Sequence, residues 1–312
     1  MLIRNVLVIG GSGFIGRHVV RQLAGAGLQV RVPTRNRERA KDLILLPTVD
    51  VVKADVFDPQ TLEGLVAGVD AVVNLVGILH GDFERAHVEL PRRIVAACRK
   101  AGVGRLVHVS ALKASLQGPS AYLRSKAQGE EAVRDAQSDA LQTTIFRPSV
   151  VFGREDRFLN LFAHLARQLP VLALVSPEAR FQPVHVLDVA RAVALALSDP
   201  RTFGQTYELC GPRAYTLRKL VEYVVHALGL RRPIVGLGPS LSMLQAAVLE
   251  QLPGSIMTRD NVRSMQVDNV CDCPFPVVFG FAPTPLEAVV PLYIAGVTPR
   301  SRYRWFRFRA RR

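Results

Sequence analysis

Two groups of residues in this 312-residue chain have types and spacings that could do chemistry. The first is Gly10-Gly11-Ser12-Gly13-Phe14-Ile15-Gly16, with Gly10, Gly13 and Gly16 at every third position. It lies between the apolar run Val6–Ile9 and a segment, Phe14–Leu23, of helical periodicity. A strand, a glycine turn and a helix N-terminus in that order make an anion site. Missing side chains let a pyrophosphate approach, free amides donate to it, and the macrodipole favours its charge. The motif carries meaning only in that context, and it has that context here. The second group is Tyr122 and Lys126, four residues apart and so on one face of a helix. An ammonium beside a phenol favours the phenolate, drawing a pKa that starts near ~10 toward neutrality so that the tyrosine can exchange a proton with substrate. Lys126 can also hold a ribose. The plain alternatives are a glycine turn in an empty fold and a chance Tyr–Lys spacing.

Such residues need a scaffold that brings strand ends and helix starts together. Valine-rich, almost uninterrupted strands point to a parallel sheet covered on both faces. The fold expected is α/β, a Rossmann-type doubly wound parallel sheet with a smaller C-terminal lobe. The expected division assigns 1–152 and about 181–212 to the dinucleotide-binding domain, and about 153–180 and 213–297 to the lobe. Thr216 reads as a helix cap before Leu217–Leu228. Which dinucleotide binds is decided after the second strand, where an acidic residue would accept from the ribose hydroxyls. Thr34 holds that position, and Arg35, Arg37 and Arg39 follow. A carboxylate there would repel a 2′-phosphate, whereas a guanidinium binds one through paired hydrogen bonds. The cofactor expected is NADP(H), with NAD(H) the less favoured, and Thr34 and Arg35 are the selecting residues.

The formal charge is +14, and the tail supplies half of it: from Arg300 to Arg312 there are seven arginines and no acid, interleaved with Tyr303, Trp305, Phe306 and Phe308. Arginine alternating with aromatics suits an extended segment at an anionic membrane surface. It would also suit RNA, with bases stacking on the rings, or a protein partner, or a disordered solubilising tail. The membrane reading of 298–312 is preferred and nucleic acid disfavoured. Met1–Gly11 leads straight into the phosphate turn, which is not the design of a signal peptide. Pro276–Val297 carries Pro283, Pro285, Pro291 and Glu287, which argues against a membrane span. Cys98, Cys210, Cys271 and Cys273 are too few and scattered for a disulfide framework, and Cys271-Asp272-Cys273 lacks a partner pair for zinc, so no metal is expected. The expected location is cytoplasmic, peripheral on the inner face of a membrane.

Several segments together resemble the extended short-chain dehydrogenase/reductase superfamily. Val51–Asp55 resembles its third strand, Ala71–Gly77 its fourth and Leu106–Ser110 its fifth. Tyr122-Leu-Arg-Ser-Lys126 matches its Tyr-x-x-x-Lys signature, and Arg147–Gly153 and Val184–Ala190 match later segments. The resemblance implies catalytic roles for Tyr122 and Lys126. It also implies cofactor contacts from Asp55, Val56, Leu75, Val76, Gly77, Lys126, Arg147 and Pro148. The superfamily's third member, a Ser or Thr donating to the substrate carbonyl, falls at Ala111. Ser110 is one residue early, on the other strand face, and Ser115 would have to reach back from the following loop.

A closer resemblance rests on Tyr122–Glu130, Phe152–Phe162 and Thr258–Val262. These look like the atypical branch containing the NADPH-binding accessory subunit of respiratory complex I and its bacterial relatives. Two functions follow as expectations. One is an NADP(H)-binding module of low or no turnover supporting a membrane-associated respiratory or quinone-related complex or pathway. The other is an active reductase or nucleotide-sugar epimerase/dehydratase using Tyr122 and Lys126. A redox sensor that binds cofactor and a protein partner is a third.

Overall fold

The computed structural model describes residues 2–250 and 257–295, so the basic aromatic tail read at 298–312 lies outside the described residues. The chain divides into two compact units. The first comprises 2–148, Val186–Leu209 and Cys271–Phe281. Its strands are β1 (Asn5–Ile9), β2 (Gln29–Thr34), β3 (Val49–Lys53), β4 (Ala71–Asn74), β5 (Arg105–Val109), β6 (Gln142–Pro148) and β7 (Gln205–Leu209). All pair in parallel in the order β7-β6-β5-β4-β1-β2-β3. The order reverses at β1 and β4, whose carboxyl ends open the crevice where such sheets bind ligands.

Helices cover both faces. On one lie α2 (Pro59–Val66), α3 (Leu90–Ala101) and α4 (Ala121–Arg134), packed through Leu62, Leu90, Ile94 and Val133 onto Leu7, Ile9, Val72, Leu106 and Ile145. On the other, α1 (Phe14–Gly25) packs against α5 (Val186–Ser198). Alternation along each strand divides the residues between these layers. Arg105 on β5 faces the α5 side and is fully buried. Its guanidinium donates to Ala196 O (2.8 Å) and Leu197 O (3.3 Å) at the end of α5, and to Gln142 O (3.0 Å) and Thr144 Oγ1 (2.5 Å) on β6. A cation at a helix C-terminus meets the negative end of the macrodipole and satisfies carbonyls the helix leaves unbonded.

The second unit comprises Ser149–His185, Cys210–Val270 and 282–295. Helices Leu159–Gln168, Leu217–Ala227 and Leu286–Ile294 enclose a core that includes Phe162, Leu220, Val224 and Val290. Thr216 caps the second of them, accepting from Lys219 N at 3.2 Å.

Several segments group differently from the expected division. Residues 149–152 and 181–185 belong to the second unit rather than with the sheet, because Phe181 pairs with Tyr215 and Val184 with Val151. Cys271–Phe281, expected in the lobe, belongs to the first unit, where Phe279 packs on Phe146 (5.7 Å) and Tyr207 (5.2 Å). Cys98 and Cys273 are free thiols. Separation along the chain does not measure separation in space. Among the described residues no helix is long and apolar enough to cross a membrane.

Replacing Arg105 by Met would remove its buried hydrogen bonds to the end of α5 and to β6. We expect a loss of about 3 kcal/mol, read as a lower urea midpoint at an unchanged slope. An unaltered midpoint would show that the guanidinium does not hold α5 to the sheet.

Candidate functional site

The glycine turn follows β1 at the crevice. Gly10 has a left-handed φ of +81°, and a Cβ there would meet the backbone of Leu75 at 3.1 Å, beyond the end of β4. A Cβ on Gly16 would come within 2.1 Å of the Gly10 carbonyl oxygen, so only glycine lets α1 begin this close to the turn. Gly13 is the N-cap of α1 and offers no side chain, and the first turn holds no acidic residue. Its amides therefore face an uncapped, positive helix end, which fits an anionic pyrophosphate.

At the end of β2, Thr34 is buried. Its Oγ1 accepts from Ser12 Oγ (3.4 Å) and donates to Asn36 O (3.0 Å), which ties the turn after β2 to the glycine loop. Arg35 is exposed beside it. Past β3, Asp55 is exposed and its carboxylate accepts from Phe57 N at 3.1 Å, with Val56 half-buried between them.

Lys126 lies across the crevice on α4. Its ammonium is buried, donating to Val76 O (3.1 Å) past β4 and to Val109 O (3.3 Å) at the end of β5. It stands 3.2 Å from where a Cβ on Gly77 would sit. Leu75 N donates to Ile9 O at 2.9 Å, so Leu75, Val76 and Gly77 continue the β4 edge toward this lysine. Burial pushes the Lys126 ammonium down to about 8, against a smaller upward pull from Glu130. The tyrosine does not behave as expected from the pair alone. Burial pushes the Tyr122 phenol up to about 12. Desolvation of the phenolate therefore outweighs any help from the neighbouring ammonium.

The sequence reading missed a second set of polar groups on this face. Asn74 Oδ1 accepts from Val76 N (3.1 Å), so its Nδ2 faces His108 Nδ1 (3.1 Å) and donates to it. The His108 proton is then on Nε2. That atom and Ser110 Oγ are buried without a hydrogen-bond partner, two residues apart at the end of β5. Burial holds His108 neutral, down to about 3, with Lys126 adding to the effect. Buried polar atoms without partners are uncommon, and a polar guest would satisfy them. The available signal was polar Asn74 and His108 interrupting otherwise apolar strands. Ser110 thus faces the α4 layer, whereas Ala111 is buried with no hydroxyl to offer.

Two expected site residues stand elsewhere. The Arg147 guanidinium is committed to the buried Glu130, with Nε 2.9 Å and Nη2 2.5 Å from its oxygens. A buried carboxylate requires such partners, and Glu130 is held by Arg147 together with Arg134. Ser115 lines a cleft of about 180 Å³ with Glu130, Arg134 and Arg147, and its Oγ accepts from Gln117 N. Pro148 ends β6, and its carbonyl accepts from Leu112 N at 3.0 Å.

A glycine cradle thus lies at the reversal of a parallel sheet, facing a buried lysine on α4. Residues 6–210 match the NAD dependent epimerase/dehydratase family. The chain belongs to that family. It is 35% identical over 318 residues to the mitochondrial NADH dehydrogenase (ubiquinone) 1 alpha subcomplex subunit 9 of Mus musculus, covering 96% of this chain and 81% of that relative. It is 32% identical over 264 residues to a ceramide reductase of Caulobacter vibrioides, covering 82% of this chain and 80% of the relative. An Escherichia coli NADPH-dependent quinone oxidoreductase, solved with NADPH, superposes with a TM-score of 0.74 over 92% of this chain and 99% of that one. At 21% identity that likeness is one of fold. As a member of the NAD dependent epimerase/dehydratase family with this cradle, the chain carries a nicotinamide-dinucleotide site. Residues 10–16 would hold the pyrophosphate, and the cofactor would supply hydride chemistry when bound.

Lys126 loses its proton near pH 8 in the folded chain and near 10.5 when unfolded. Between those values the unfolded chain binds the proton and the folded chain does not, so the contribution of Lys126 to stability rises with pH across that window. Urea midpoints at about pH 7.5 and about pH 10 should therefore move upward in the wild type relative to Lys126→Met. A pH-independent difference would contradict the depressed value.

Proposed function

We propose that this protein binds NADP(H) in preference to NAD(H), turns it over slowly or not at all, and serves a membrane-associated respiratory or quinone-related assembly. The preference rests on Thr34 and Arg35. Thr34 closes the ribose end of the crevice without a carboxylate, and Arg35 stands exposed next to it with no hydrogen bond or ion pair among the described residues. A guanidinium in that position is free to pair with a 2′-phosphate.

Slow turnover is supported by the catalytic side of the crevice. A tyrosine that gives up its proton only near pH 12 is a poor general acid–base at neutrality, and Ala111 stands where the superfamily places its hydroxyl. The complex I subunit from Mus musculus supports a place in a respiratory assembly, and the tail supports a peripheral membrane position.

A second reading has its own observation. Lys126 is buried at the ends of β4 and β5 on the helix that carries Tyr122, the arrangement a working reductase needs, and one relative is a ceramide reductase. In that reading Tyr122 protonates the reduced carbonyl and Lys126 holds the cofactor ribose. Ser110, the residue after β5, is the hydroxyl that would stand in for the missing donor. A reductase should oxidise bound NADPH when offered a ketone or quinone, whereas a holding module should not.

Calorimetric titration tests the cofactor. NADPH should bind more tightly than NADH, and Arg35→Ala should remove about 1.5–3 kcal/mol of that difference, the worth of a hydrogen bond to a charged group. Equal affinities in the unmodified protein would overturn the assignment.

Vesicle sedimentation tests the tail. Each arginine near an anionic surface contributes on the order of 1 kcal/mol, weakened by salt. The full chain should co-sediment with anionic vesicles, and a chain ending before Arg300 should stay in solution with its NADPH. Equal sedimentation of both would remove the anchor.

A further inference from the structure

His87 has no part in the functions above, yet both its ring nitrogens are hydrogen-bonded and its ring packs against two aromatic side chains. It lies on a single π-helical turn, Glu84–Glu89, that runs into α3. Turns of this kind are rare and concentrate at functional sites, because the extra residue re-aims a side chain. Here the imidazole is aimed inward and is 2% exposed. Ile78 N donates to its Nε2 at 3.0 Å. Since Nε2 accepts, the ring proton is on Nδ1, which donates to Ser125 Oγ at 2.9 Å. Ser125 Oγ in turn donates to the Tyr122 carbonyl at 3.0 Å. The chain of donors is directional from the loop after β4, through the ring, to the first turn of α4.

Two further observations bear on the same point. The ring stacks on Phe83 (5.5 Å, 16°) and meets Tyr122 edge-on (5.6 Å, 79°), so it also buttresses the phenol. A Cβ on Gly129 would fall 1.8 Å from the His87 carbonyl oxygen, so α4 touches the π-turn backbone to backbone at a position only glycine permits. Burial, reinforced by the Lys126 charge, holds the ring down to about 2, so it remains neutral and its tautomer does not change.

We infer that His87 is a positioning residue that clips the loop after β4 to the Tyr122 helix and so pre-forms the surface met by the nicotinamide half of the dinucleotide. This rests on the reading that Leu75–Gly77, Tyr122 and Lys126 serve that half, while Thr34 and Arg35 serve the adenosine half. Lys126 closes the same gap one turn further along α4, through Val76 O. Two independent clips, one from a cation and one from a neutral ring, thus span the β4 loop and α4.

The division into halves supplies the test. NADPH uses both halves of the crevice, and 2′,5′-ADP uses only the adenosine half. Affinities for the two ligands are compared in the full-length wild type, His87→Leu, His87→Gln, Ser125→Ala and Lys126→Ala. His87→Leu should weaken NADPH about tenfold, the equivalent of one lost buried hydrogen-bond pair, and leave 2′,5′-ADP unchanged. Gln can accept from Ile78 N and donate to Ser125, so His87→Gln should recover most of the loss, and Ser125→Ala should fall between. In the wild type, the ¹⁵N spectrum of His87 should report the neutral Nδ1–H tautomer at neutral pH. Undiminished NADPH affinity in both His87→Leu and Ser125→Ala, or equal loss of both ligands, would overturn the inference. Lys126→Ala separates this from the underlying reading. If it too shows no selective loss of NADPH, the assignment of the nicotinamide half fails; if it does and the His87 variants do not, only the clip fails. Should His87→Leu not fold, Ser125→Ala and His87→Gln carry the same comparison.

Discussion

The buried ammonium of Lys126 is the interaction on which the crevice depends. Parallel strands end in carbonyls that have no further strand to accept from, and at β4 and β5 those carbonyls point into a low-dielectric gap. One lysine satisfies both, at Val76 and Val109. Removing a cation from water is costly, and its pKa moves down accordingly. The arrangement persists because the same charge answers two orphaned acceptors and leaves the Gly77 edge free of side chain.

Placing that charge constrains its neighbours. His87 and His108 both lie within its field and both are neutral, each with one ring nitrogen accepting and the other carrying the proton. The acid needed to balance the region is Glu130, one turn beyond Lys126, and it is shared with Arg147 and Arg134. That sharing engages the Arg147 guanidinium with Glu130. At Tyr122, desolvation raises the phenol pKa, while the Lys126 ammonium is engaged by two backbone carbonyls.

The two sides of the sheet use buried charge differently. On the α5 side, Arg105 binds carbonyls and hydroxyls only, and its role is to seat a helix terminus. On the α4 side, the polar groups are strung along the ends of β4 and β5 where ligand atoms would enter. Buried polarity is thus structural on one face and site-forming on the other, and the distinction follows from distance to the strand carboxyl ends.

Much of this was written locally. Glycine spacing, the valine-rich strands, the Thr216 cap and the Tyr122–Lys126 spacing each depend on residues close in sequence, so α/β class, the phosphate cradle and the face shared by Tyr122 and Lys126 could be read directly. Asn74 and His108 left a readable trace as polar breaks in apolar strands. What remained was decided by contacts between residues far apart in the chain. Only the folded sheet brings Glu130 to Arg147, returns Cys271–Phe281 to the edge of β6 and β7, and sets His87 between Ile78 and Ser125. The phenol of Tyr122 shows the reason most clearly. Local chemistry said a neighbouring ammonium would lower its pKa, but burial is a property of the whole packed layer, and desolvation raised it.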